Sequence, residues 1–118
     1  MADRRTRVYV AGPISKGDLK ENVRRGVSAG LRLLKAGYAP LIPHLSCYVD
    51  PEALIGTLAY EWWLDSSLSF IEACDGLLRL DGESKGADRE EAHARLHGVP
   101  VFWDLGTLLG SLPARREP

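Results

Sequence analysis

"RVYVAGPISKGDLKENVRRGVSAGLRLLKAGYAPLIPH", residues 7–44, holds the unit on which the fold turns. Its opening run, 7–13, is β-rich and closes on Gly12–Pro13, so it reads as a buried strand giving way to a loop. From Asn22 to Gly37, the apolar residues Val23, Val27, Leu31 and Leu34 recur every three to four positions. That spacing predicts a helix with those four residues on its buried face, stopped by Gly37. A second, proline-bounded strand follows over 38–44. Strand, helix and strand with no hairpin signal between them require parallel strands joined by a right-handed crossover.

Working outward, the pattern repeats. Residues 57–73 read as a helix with Leu64, Leu68 and Ile71 on one side, and "DGLLRL" (75–80) as a strand. A helix over 84–97, a strand over 99–103 and a short helix over 105–112 complete the alternation, and only 45–56 lacks a period. The expectation is a single domain, 1–118, built as a three-layer Rossmann-like (flavodoxin-like) α/β sandwich around a four- to five-stranded parallel sheet. No repeat, linker or low-complexity segment interrupts it.

The formal net charge is −1, which leaves no general electrostatic reason to expect a nucleic-acid polymer or a membrane surface as partner. No apolar run is long enough to span a bilayer, and the basic start is followed by too short an apolar run for a signal peptide. Cys47 and Cys74 show no CxxC or metal-like spacing, so free thiols and a cytoplasmic location are expected. Arg4, Arg5 and Arg7 at one end and Arg115 and Arg116 at the other read as frayed, solvated termini.

In such folds ligands gather beyond the carboxyl ends of the strands. "AGPISKGD", "PHLSCYVDP" and "DGESKGADRE" occupy that edge. The first suits either a phosphate cradle or a plain turn, since it matches neither a Walker A loop nor GxGxxG. In the third, Ser84 suits an N-cap, and Asp88 with Glu91 has capping-box spacing. Glu91 also precedes Arg95 by four residues, as a surface ion pair requires.

Glu90 has only Ala87 and Ala94 on its face, so no structural role explains it and it becomes the candidate for chemistry. Trp62, Asp65 and Ser69 share a stripe of the second helix, where Asp65 is either a proton donor beside a stacking platform or a solvated aspartate. Asp75 sits at the wrong end of the sheet and reads as a turn or cap residue. His44 faces the expected site, whereas His93 and His97 read as ordinary helix residues.

The segments "VYVAGPIS…N", "G…P…PH", "WWLDSSLSFIEACDGLLRL" and "SKGADREEAHA…HGVPV" together resemble the nucleoside 2-deoxyribosyltransferase-like superfamily. The likeness covers roughly residues 7–103 and is most specific in the S-x-G-A-x-x-E spacing. It implies that Glu90 is the nucleophile at C1′ of a sugar and Asp65 the proton donor. It implies further that Ser84 and Gly86 contact the ligand, and that Gly12, Ser15 and Gly17 hold a 5′-phosphate. His44 and Trp62 complete the candidate binding set.

Serine at position 84 is similar to the nucleoside 5′-monophosphate N-glycosidases. Hydrolysis of a nucleoside monophosphate to base and sugar phosphate is therefore the leading expectation. Base exchange by a deoxyribosyltransferase and a non-catalytic nucleotide-sensing module are the alternatives. The resemblance also implies a homodimer or dimer of dimers, with Ser111 reaching a neighbouring subunit's site, and chemistry that needs no metal or organic cofactor.

Overall fold

The computed structural model describes residues 3–46 and 57–116. In chain order they form β1 (Arg4–Arg5), β2 (Arg7–Ala11), α1 (Leu19–Lys35), β3 (Ala39–Leu41) and a 3-10 turn (Pro43–Leu45). Then come α2 (Thr57–Ile71), β4 (Gly76–Arg79), α3 (Lys85–Leu96), β5 (Val101–Phe102), α4 (Leu105–Ser111) and β6 (Arg115–Arg116). A four-stranded sheet runs in the order β3–β2–β4–β5 with every pairing parallel, as the alternation predicts. Helices flank both faces, giving the Rossmann-like α/β architecture.

β2 lies inside the sheet and is covered on both sides, so its apolar residues run without alternation. Val8 and Val10 pack with Leu33, Leu78 and Leu108, while Tyr9 and Ala11 face the other way onto Ile71, Leu77 and Ala94. On α2, Leu64 and Ile71 are buried and Leu68 packs beside them, as expected.

The buried face of α1 differs from expectation. Leu31 and Leu34 are 49% and 48% exposed, whereas Val23, Gly26, Ala29, Gly30 and Leu33 are buried. The cause is close approach by the segment after β3. A Cβ on Gly26 would lie 2.4 Å from the His44 ring, and one on Gly30 would lie 2.1 Å from Ile42. Two glycines a turn apart therefore set the helix face, although neither contributes hydrophobicity. α1 also begins earlier than expected, at Leu19, because the Asp18 side chain accepts from the Glu21 backbone N–H.

The arginine-rich ends are not frayed. β1 and β6 pair antiparallel, Arg4 opposite Arg116 and Arg5 opposite Arg115. Arg4 forks onto Asp75 with bonds of 2.7 and 3.0 Å, and Asp75 also accepts from the Arg7 backbone N–H at 2.8 Å. The Arg4 guanidinium holds the Asp75 carboxyl below the usual carboxylate range. Asp75 is thus structural, as its position in the chain suggested.

Cys74 is a free thiol, and burial pushes its pKa up to about 11. Cys47 lies outside the described residues. No helix among the described residues is long and apolar enough to cross a membrane.

Candidate active site

A cavity of about 590 Å³ lies at the carboxyl edge of the sheet. Its walls come from the three anticipated loops: Gly12 with Ile14 to Lys16, Leu41 to Pro43 with Leu45 and Ser46, and Glu83 to Ala87. One side of α2 closes it, and Tyr9 and Glu90 form its inner surface.

Glu90 reaches this position through its small neighbours. Ala87 and Ala94, 2% and 0% exposed, let α3 settle onto the sheet and carry Glu90 to 7% exposure. There the Tyr9 hydroxyl donates a hydrogen bond to Glu90 Oε2. Burial pushes the Glu90 pKa up to about 7, against the opposing pull of the Tyr9 bond and the Arg79 charge. Burial first, and then the Glu90 charge, raise the Tyr9 phenol well above its ordinary value. Near neutrality Tyr9 is therefore a fixed donor beside a carboxyl balanced between its two forms, a state suited to nucleophilic or proton-transfer work.

Arg79 supports the third loop from beneath. It is 2% exposed and donates to the Leu80 carbonyl at 2.7 Å, the Gly82 carbonyl at 3.0 Å and Asp88 Oδ1 at 3.0 Å. Its guanidinium carbon lies 5.0 Å from the centre of the Trp103 ring. Asp88 is thus drawn to Arg79 and does not serve in a capping box. The cap is Ser84, whose hydroxyl accepts from the Ala87 N–H at 3.1 Å. Glu91 bonds Arg95 at 3.1 Å, the surface pair its spacing suggested.

Of the residues singled out in the sequence, Gly12, Ser15, Ser84, Gly86 and Glu90 converge on the cavity. Gly17 stands outside the lining at φ +84°, while the adjacent Lys16 belongs to it. His44 does not reach the lining. It is fully buried behind the wall formed by its neighbours Pro43 and Leu45, with its ring against Gly26. Neither ring nitrogen makes a hydrogen bond among the described residues. The Pro13 carbonyl acts on the ring electrostatically without meeting hydrogen-bond geometry, and burial brings the His44 pKa down to about 4. His44 is a neutral prop for the cavity wall.

Trp62 and Asp65 also lie outside the lining, both exposed to solvent, Trp62 by 70%. With Leu64, Leu68 and Ile71 turned to the sheet, the stripe bearing Trp62 and Asp65 falls on the flank away from the cavity. The opposite flank, Trp63, Ser66, Ser67 and Phe70, lines it. Those four stand at i, i+3, i+4 and i+7, a periodic signal present in the sequence. Ser111 is exposed at the end of α4 and lines no part of its own chain's cavity. Residues 47–56, most of the stretch without a period, lie outside the described residues.

Tyr9 and Arg79 are the contributors that sequence reasoning missed. A tyrosine between valines reads as core, and the only available signal was a phenol in an otherwise aliphatic strand. Arg79 interrupts "LLRL", where a charge demands a buried partner.

A family model described as "Domain of unknown function (DUF4406)" matches residues 6–103. No curated protein matches the sequence. Among solved structures, a 2-deoxyribosyltransferase from the psychrotolerant bacterium Bacillus psychrosaccharolyticus superposes with a TM-score of 0.64 at 19% identity. The match covers 91% of this chain and 82% of that one. The chain therefore shares the fold of that enzyme, as the resemblance in sequence implied.

Proposed function

Since the chain belongs to the DUF4406 family, a domain of unknown function, we propose its function from the cavity itself: hydrolysis of the N-glycosidic bond of a nucleoside 5′-monophosphate, with Glu90 as nucleophile. One observation carries this. The one buried carboxyl among the described residues, oriented by a phenol that cannot readily ionise, sits where the three loops and α2 converge. Glu90 attacks C1′ as the carboxylate, forming a glycosyl ester while the base departs with the bonding electron pair and takes a proton from water. A second water attacks C1′, loses its proton and releases sugar phosphate, regenerating the Glu90 carboxylate. The Tyr9 hydroxyl, bonded to Oε2, leaves Oε1 for the sugar and stabilises the carboxylate again as it leaves.

The rest of the lining supports the same substrate class. Ile14, Leu41, Trp63 and Phe70 offer apolar and aromatic surface to a base. Lys16 and Lys85, with the N-terminus of α3 at Ser84, suit a phosphate. Ser15, Gly12 and Gly86 let it come close to backbone. Asp65 faces away within its own chain and has no part in this scheme. A homodimer, with Ser111 serving the neighbouring subunit, remains part of the proposal.

The test is a panel of nucleoside 5′-monophosphates and free nucleosides, with chromatographic detection of base. Glu90→Gln should lower turnover on the order of a thousandfold or more, while Glu91→Gln leaves it within a few-fold. Full activity in Glu90→Gln would rule out the assignment. The shared fold with a deoxyribosyltransferase favours one second reading, base exchange: transfer to an added base faster than hydrolysis would establish it instead. Tight nucleotide binding without any product would identify a sensing module.

A further inference from the structure

Away from the cavity, α3 carries a second group of side chains that no part of the glycosidase scheme uses. His93 and His97 stand one helical turn apart on the same face, and Glu72 follows directly after α2. His93 Nε2 lies 2.8 Å from Glu72 Oε2, and His97 Nε2 lies 3.9 Å from the same oxygen. All three potential ligand atoms lie within 4.8 Å of one another, and the imidazole rings have centroids 4.3 Å apart. An ion pair needs two such groups; here a third converges on them at a distance too long for a hydrogen bond.

We propose that Glu72, His93 and His97 form a binding site for one divalent cation of the zinc class. Ligand atoms around a tetrahedral zinc, with bonds of about 2.0–2.1 Å, stand about 3.3 Å apart. The separations from Glu72 Oε2, 2.8 and 3.9 Å, bracket that spacing, and no pair of ligand atoms is more than 4.8 Å apart, so rotations of the exposed Glu72 and His97 side chains toward the half-buried His93 complete the triangle. Two imidazole nitrogens and one carboxylate oxygen select zinc, copper or nickel over magnesium and calcium, which prefer an all-oxygen shell.

The backbone beneath is set. Ile71, adjacent to Glu72, and Ala94, adjacent to His93, are both fully buried in one core cluster, so the ligands project from packed elements. The fourth position opens to solvent. A cation here clamps the end of α2 to the far turns of α3, the helix that holds Glu90. The site stands independently of the activity proposed for Glu90.

The experiment uses untagged, chelator-treated protein titrated with Zn²⁺ by calorimetry and with Co²⁺ by visible absorption. A single equivalent should bind, with the intense absorption of four-coordinate cobalt and a raised melting temperature, and excess Mg²⁺ should not compete. His93→Ala and His97→Ala should each weaken binding about a hundredfold or more, with far-UV circular dichroism confirming that both fold. Cys74→Ser should bind as the wild type does, and Glu90→Gln likewise. Absence of a one-to-one complex, unchanged affinity in His97→Ala, or loss of binding in Cys74→Ser would each overturn the proposal.

Discussion

Replacing Glu90 by Gln should make the protein more stable, and by an amount that depends on pH. Burial raises the Glu90 carboxyl from 4.5 to about 7. The folded chain thus holds this proton more tightly than the unfolded chain does. The stabilisation linked to the proton is complete below pH about 4.5, is lost as pH rises through about 7, and changes no further above it. Two and a half pH units at 1.36 kcal/mol each give about 3 kcal/mol lost on the alkaline side.

Glutamine cannot ionise, yet its carbonyl oxygen still accepts from Tyr9. Glu90→Gln should therefore match the wild type within about 0.5 kcal/mol at pH 4.5, and exceed it by about 3 kcal/mol at pH 8.5. Urea denaturation of both proteins at the two pH values measures this, and every other titrating group cancels in the difference. A stability difference that is the same at both pH values, or a variant weaker at pH 8.5, would refute the burial argument. The expected trade of stability against activity at one residue is the usual mark of a strained functional group.

Two further perturbations probe the same framework. Tyr9→Phe removes a charge-assisted hydrogen bond of about 1.5–3 kcal/mol, so the Glu90 titration followed by carbon-13 NMR should move about one to two pH units higher. An unchanged or lower midpoint would count against the bond. Gly26→Ala drives a methyl into the His44 ring and should cost about 1–3 kcal/mol in thermal unfolding; His44→Ala in the same chain should relieve much of it, whereas strict additivity of the two changes would show the contact to be unimportant.

What could be read in advance follows from which physical signals are local. The parallel sheet was legible because "RVYVA", "GLLR" and the helices between them carry their own periods and stops. The site's edge of the sheet followed from topology alone. Glu90 stood out because its helical neighbours are alanines, a pattern that needs no tertiary knowledge. The face of α1 was misread because Gly26 and Gly30 matter through what approaches them, and a hydrophobic periodicity gives glycine no weight. On α2 the core stripe is legible, but the sequence alone does not tell which flank of it meets the cavity, so Trp62 and Asp65 read as candidates although Trp63 and Ser67 line the cavity. The β1–β6 ladder is two residues wide and made of arginines, with no alternation to betray it. Tyr9 acts through a partner 81 residues away, invisible until β2 and α3 are adjacent; Arg79 bonds nearby residues, Leu80, Gly82 and Asp88, but only the folded loop brings those acceptors onto one guanidinium.

Tyr9 and Glu90 meet across 81 residues of chain. Between them lie α1, β3, α2 and β4, so both crossovers that flank the sheet's interior must close before phenol and carboxyl are neighbours. Such contacts form only after the loop-closure entropy of the intervening chain has been overcome, which places them late on the folding route. A partly assembled chain, with α3 undocked, carries Glu90 in water with the acidity of any exposed carboxyl. The titration midpoint of this one side chain is therefore a clock for folding: a pH-jump refolding experiment that follows it would time the moment at which β2 and α3 lock together.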